Sequence, residues 1–151
     1  MIWVACAAIV VLLDEWLKFV SLQRLPQEGS LLHPGVIDFA IHKNWGIAFD
    51  IPFKLPLIVI VSIAIGVFLV NVIWKNRREH PEISAAAACI LLGAAGNLFD
   101  RVVYGFTVDY IILFGRSAIN LSDIIILTGV FWLLSASRRA HKDHPLSVHS
   151  H

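Results

Sequence analysis

Four aspartates, Asp14, Asp100, Asp109 and Asp123, stand in or beside long apolar stretches. A carboxylate inside or at the edge of a membrane costs about 2.5–3.5 kcal/mol on insertion scales, so such acids tend to have partners and a purpose. Two of them end a repeated spacing, Asn97-Leu98-Phe99-Asp100 and Asn120-Leu121-Ser122-Asp123, in which a three-residue step sets amide and carboxylate on one helix face. Such amides can orient a carboxylate or grip a peptide backbone; their plainer role is interhelical hydrogen bonding. Two carboxylates close together cannot both ionise cheaply, so they share a proton and supply one acid and one base. That is the equipment for water attack on a carbonyl. Other hydrolytic signatures are missing: the sequence has no His-Glu-x-x-His, no Gly-x-Ser-x-Gly, and no histidine inside a helix core to activate Ser62 or Ser84.

For Asp14 an ion pair with Lys18 one turn on, and for Asp100 a helix-end cap beside Arg101, explain the residues as well as chemistry does. Asp109 and Asp123 have no adjacent cation, and a functional reading leads for both. A small four-helix transporter or proton-conducting channel would use membrane acids equally naturally, although transporters hold substrate near the midplane and often show internal repeats.

The elements that position these acids follow from the apolar runs. The chain is 58% hydrophobic and 15% charged, against roughly a quarter charged in soluble domains. Residues 55–74 and 83–99 are uncharged, and 117–137 is broken only by Asp123. About 20 residues cross a hydrocarbon core of about 30 Å. We expect four membrane helices, at about 2–19, 55–74, 83–99 and 121–137, in a single domain over 1–140. The N-terminal run lacks a basic start and a cleavage site and reads as a retained first helix. Lys75, Arg77 and Arg78 after the second helix, and Arg138, Arg139 and Lys142 after the fourth, mark the cytoplasmic side. Both termini are then cytoplasmic, and all four acids fall near the outer boundary. Asp14, for example, lies roughly 20 Å along the first helix.

Outer β segments are expected within 33–54 and 102–116. Ile37, Phe39 and Ile41 alternate, then Trp45, Ile47, Phe49 and Ile51, with His42-Lys43-Asn44 between them, which predicts two short strands. Phe106 to Tyr110 has similar character, so a small outer sheet could cradle an extended peptide. The Gly93-Ala94-Ala95-Gly96 run predicts close helix packing. The tail 141–151 reads as polar, cytoplasmic and solvated despite its histidines. Cys6 and Cys89 lie in apolar stretches and read as small buried hydrophobes. A net charge of +1 with dispersed cations excludes a nucleic-acid face.

Five motifs, in order, resemble those of lipoprotein signal peptidase (the signal peptidase II, or prolipoprotein signal peptidase, family). They are Asp14-x-x-x-Lys18; Asn44-Trp45-Gly46-Ile47-Ala48-Phe49; Gly93-Ala94-Ala95-Gly96-Asn97-Leu98-Phe99-Asp100-Arg101; Gly105-Phe106-Thr107-Val108-Asp109; and Asn120-Leu121-Ser122-Asp123. The resemblance implies a mainly α membrane protein, four transmembrane helices with a small extracytoplasmic β-sheet, or β-cradle, in the bacterial cytoplasmic (inner) membrane. It implies an aspartic endopeptidase that cleaves before the diacylglyceryl-cysteine of lipid-modified prolipoproteins, without cofactor or metal. Position alone leaves Asp100 and Asp123 as a possible pair; the resemblance implies Asp109 and Asp123 as the catalytic pair. It implies supporting or substrate-binding roles for Asp14, Asn44, Asn97, Asp100, Arg101 and Asn120, and binding of the family inhibitor globomycin at the aspartate pair. Three residues depart from the family pattern: Glu15 where Gln is frequent, Thr107 where Val is usual, and Ser122 where Ala is usual. Ser122 is expected to place its hydroxyl beside Asp123 and shift that acid's hydrogen bonding.

Overall fold

A computed structural model describes residues 2–27, 35–46 and 54–143. The elements run α1 (Ile2–Arg24), β1 (Ile37–Asn44), α2 (Leu55–Asn76), α3 (Pro81–Val103), β2 (Thr107–Leu113), β3 (Ser117–Ile119) and α4 (Leu121–Asp143). Proline in the first turn starts α2 and α3, where a missing N–H costs nothing. Glu82 in the first turn of α3 and Arg101 in its last complement the helix dipole. The helix ends where Tyr104 N–H bonds Asp100 O and Gly105 turns left-handed at φ 84°.

Three of the four helices, α2, α3 and most of α4, are long and apolar enough to cross a membrane. The fourth, α1, carries Asp14, Glu15 and Lys18 in one stretch of its length. Large side chains such as Phe68 on α2 and Phe131 on α4 are 64% and 70% exposed, an outward-facing apolar surface suited to lipid rather than water. Inside the bundle, α3 packs against α1, α2 and α4. It comes close to α4 at Gly93, where an added Cβ would lie 2.7 Å from the Ser122 carbonyl oxygen.

The sheet is antiparallel in the order β1-β2-β3. Its hairpin between β2 and β3 turns on Phe114 (φ 53°) and Gly115 (φ 60°), closed by Arg116 N–H to Leu113 O at 3.0 Å, the left-handed pair that matches strand twist. Two strand expectations are corrected here. β1 runs straight through His42-Lys43-Asn44 instead of breaking there, because these residues pair with Asp109, Val108 and Thr107 of β2. A bulge between Phe39 and His42 also puts Ile41 out of phase with Ile37 and Phe39. Ile37, Phe39, His42 and Asn44 therefore share the face that carries Thr107 and Asp109. Ile41 instead joins Val108 and Tyr110 in a buried cluster with Leu17, Leu22 and Leu25 of and beside α1. The expected alternation at Ile47, Phe49 and Ile51 lies outside the described residues, as does the tail beyond Asp143. α4 itself extends past the expected end at 137.

Candidate active site

Asp109 is buried in the middle of β2, and Asp123 opens the first turn of α4. Both line one cavity of about 640 Å³, together with Asn44, Asn97 and Arg101. Its remaining walls are the sheet face at His42 and Thr107, the β3 edge Ser117–Ile119, and an apolar side of α2 and α4 formed by Leu57, Ile58, Val61, Ile65, Ile126 and Leu127.

Three asparagines hold the two acids. Asn44 Nδ2 donates to Asp109 Oδ2 at 3.1 Å, and Asn120 Nδ2 donates to Asp109 Oδ1 at 2.8 Å. Asn97 Nδ2 donates to Asp123 Oδ1 at 2.8 Å, while its own Oδ1 accepts from Asn120 Nδ2 at 3.1 Å. Asn120 also caps α4: its Oδ1 accepts Asp123 N–H at 2.9 Å, and Asp123 Oδ2 accepts Asn120 N–H at 3.2 Å. This reciprocal capping box fixes the carboxylate to the helix end it belongs to. Among the described residues, neither acid accepts a hydrogen bond from a lysine or arginine. Burial, and next the nearby charge of Asp123, push the Asp109 carboxyl up to about 7; Asn44, His42 and Asn120 oppose the rise.

Behind this layer lies a second, ionic one. Lys18 is fully buried, with Nζ 2.8 Å from Asp100 Oδ2, 3.0 Å from Asp14 Oδ2, 3.1 Å from Glu15 Oε1 and 3.4 Å from Asn97 Oδ1. Asp14 accepts four further bonds, from Tyr110 Oη (2.8 Å), Leu121 N–H (2.9 Å), Ser122 N–H (3.2 Å) and Ser122 Oγ (2.6 Å). It thus ties α1 to β2 and to the free N–H groups at the start of α4. Burial raises the Tyr110 hydroxyl, and the Asp14 charge adds to the rise. The phenol stays a donor. Asp100 also accepts Val108 N–H at 3.1 Å, which holds the strand that carries Asp109.

The pairing of Asp14 with Lys18 is present, but two other expectations change. The salt-bridge partner of Asp100 is Lys18, not Arg101, whose Nη2 instead donates to Gly46 O at 3.2 Å. The Ser122 hydroxyl points to Asp14, not Asp123. Glu15 takes the third contact of Lys18. Thr107 Oγ1 is buried and has no partner among the described residues. Three contributors were not singled out from the sequence. His42 sits opposite Asp109 in the strand register, Tyr110 bonds Asp14, and Arg116 lines the cavity. The alternation of β1 and β2 holds a partial signal for His42, since a strand pairing that joins Asn44 to Thr107 also brings His42 to Asp109. Cys6 is exposed and Cys89 buried, both as free thiols.

The same arrangement of helices and sheet occurs in solved proteins. Two bacterial membrane enzymes determined by the in meso method superpose with TM-scores of 0.81 and 0.75. The first is 23% identical, covering 97% of this chain and 94% of the other, and shares the fold; the second is 25% identical, covering 89% and 91%. The lipoprotein signal peptidase of Psychromonas ingrahamii is 29% identical over 95% of this chain and 88% of its own length. That of Ectopseudomonas mendocina is 32% identical over 87% and 84%. The sequence profile described as Signal peptidase (SPase) II matches residues 6–138, which include Asp14, Lys18, Asn44, Asn97, Asp100, Asp109, Asn120 and Asp123. With its fold, its relatives and nearly its whole length in agreement, the chain belongs to the signal peptidase II family.

Proposed function

We propose that this protein removes the signal peptide from prolipoproteins, acting as an aspartic endopeptidase in the bacterial inner membrane with Asp109 and Asp123 as its catalytic pair. The observation that carries this reading is that two carboxylates line one cavity, each held by asparagine amides rather than by a cation. The Asp109 proton, retained up to about pH 7, supplies the acid. Asp123 then serves as the base: it draws a proton from water as the oxygen attacks the scissile carbonyl, while Asp109 donates to the carbonyl oxygen. In the collapse of the tetrahedral diol the C–N bond breaks, and the departing amine of the lipid-modified cysteine takes the proton from Asp123. Asp109 recovers its own from the diol.

The cavity walls fit the two halves of such a substrate. The apolar side of α2 and α4 can hold acyl chains, at about 0.8 kcal/mol per buried methylene. The β3 edge, Ser117–Ile119, opens onto the cavity and can take an extended peptide as an added strand. Remote lipid binding can thereby hold the scissile bond against the acids and raise turnover. In this reading α1 also spans the bilayer, with Asp14 and Lys18 paired and buried inward. A transporter or channel is not favoured, because the acids gather at one end of the bundle beside a sheet.

The test is cleavage of a diacylglyceryl-modified precursor by purified protein in micelles or vesicles. Wild type should cut it and leave the unlipidated form uncut, and Asp109→Asn and Asp123→Asn should each insert, fold and cut nothing. Turnover near wild type by either variant would sink the pair. Equal turnover of both precursor forms at saturation would make the protein a general membrane protease.

A further inference from the structure

A second groove, of about 390 Å³, runs along α2 against α3 and shares no residue with the catalytic cavity. Ile63, Gly66, Val67 and Val70 of α2 line it, with Leu91 of α3. Their spacing is one stripe of a single helix. Asn71 and Trp74 stand at the end nearest the α2–α3 turn. From Ile63 to Trp74 the helix rises about 16 Å, and half of a bilayer hydrocarbon core is about 15 Å. The groove is therefore as long as one leaflet is deep.

Its mouth is polar in a specific way. Asn71 Nδ2 spends one hydrogen on Val67 O at 3.1 Å, which leaves a second amide hydrogen on an exposed side chain beside the groove. The Arg77 guanidinium lies 3.6 Å from the ring centroid of Trp74, a cation–π contact that fixes the charge at the groove's end. Lys75 and Arg78 are exposed beside it, and none of the three cations has a carboxylate partner among the described residues. Of the acids nearby, Glu79 is exposed and Glu82 faces His80 Nδ1 at 3.7 Å.

We propose that this groove binds an anionic phospholipid from the leaflet on the α2–α3 turn side. One acyl chain lies along Ile63 to Val70, the Asn71 amide donates to a glycerol ester carbonyl, and Arg77 and Arg78 take the phosphate. The proposal rests on α2 and α3 crossing a membrane, not on the peptidase chemistry. A zwitterionic headgroup leaves the basic cluster half-answered, whereas a net negative one is favoured by roughly fivefold per basic residue near the surface.

Native mass spectrometry of the full-length protein, released from neutral detergent with equal amounts of phosphatidylglycerol and phosphatidylcholine of matched chains, reads the preference directly. Wild type should retain phosphatidylglycerol at least tenfold better, and Arg77→Gln/Arg78→Gln should erase the preference. Gly66→Leu should lower retention of both lipids, since Gly66 lines the groove and a Cβ there meets only Leu91 Cδ1 at 3.7 Å, ordinary contact, so the added side chain takes up groove space. Both variants should cut the lipidated precursor as wild type does, which shows that they are folded. Loss of cleavage in wild type would bear on the peptidase reading alone. Equal retention of the two lipids, or a preference unchanged in the double variant, overturns the lipid site. So does competition by soluble glycerol phosphate as strong as by lipid. A dimer dissolved by Gly66→Leu with no lipid preference would instead give the groove to a second copy of the chain.

Discussion

Replacing Lys18 by methionine removes the one cation that three carboxylates share while keeping an apolar stem of similar reach. The three contacts lie within 2.8–3.1 Å, and Lys18, Asp14 and Asp100 are all fully buried. Removing one partner of a buried ion pair costs about 3–5 kcal/mol, chiefly because a charge is left uncompensated. The acids do not suffer equally. Asp14 keeps four donors, from Tyr110, Leu121 and Ser122, whereas Asp100 keeps only Val108 N–H, with its Oδ1 unpartnered among the described residues. The loss therefore concentrates on Asp100, and a second change, Asp100→Asn, should recover much of it by removing the stranded charge. We expect Lys18→Met to lower unfolding free energy by about 3–5 kcal/mol, Asp100→Asn by about 1–3 kcal/mol, and the double variant to cost less than Lys18→Met alone, well short of their sum. Unfolding in mixed micelles of mild and denaturing detergent, followed by tryptophan fluorescence, measures all three. A Lys18→Met loss under about 1 kcal/mol, or costs that simply add, would refute the claim that Lys18 answers Asp100.

Asn44→Leu removes a donor that favours ionised Asp109. A bond to a charged acceptor is worth about 1.5–3 kcal/mol, and a tenfold change about 1.4 kcal/mol, so the basic limb of the pH–rate profile, near pH 7 in wild type, should move up by about one to two pH units. A limb that stays or moves down would show that Asp109 does not hold the working proton. Gly93→Ala forces a methyl into the Ser122 carbonyl and Ile126, so stability should fall by about 1–3 kcal/mol and cleavage with it. Unchanged melting and turnover would mean that α3 and α4 have slack at this crossing. In a background of Cys6→Ala and Cys89→Ala, a probe at Asn76→Cys should resist an impermeant reagent in intact cells, and one at Asp38→Cys should react. The reverse pattern would invert the orientation.

The helices were largely legible because burial in lipid demands uninterrupted apolar length, and little else in this sequence produces it. α1 is the informative exception: Asp14, Glu15 and Lys18 interrupt its apolar run, since its inward face serves the site and not the lipid. The sheet was legible in outline only. Alternation finds strands but cannot find a bulge, and the bulge between Phe39 and His42 decides which residues of β1 look at Asp109. The partner of Asp100 is hidden from local sequence for a related reason. Residues adjacent on a helix point in different directions, so Arg101 turns to Gly46 while Asp100 meets a lysine from α1, a contact no local pattern announces.

The same contrast explains how Asp123 is positioned. Within its own motif the Asn120 cap fixes it to α4, a local device readable from the three-residue spacing. That cap is rigid only if the start of α4 is itself anchored, and the anchor is Asp14, which takes the N–H groups of Leu121 and Ser122 from a helix more than a hundred residues earlier. Asn97 closes the loop by donating to Asp123 while accepting from Asn120 and Lys18. Asn97, Asn120 and Lys18 each bond a group that another element supplies. The buried ionic layer thus holds the helix end, the strand and the asparagines in register, while the two cavity acids accept no hydrogen bond from a lysine or arginine among the described residues.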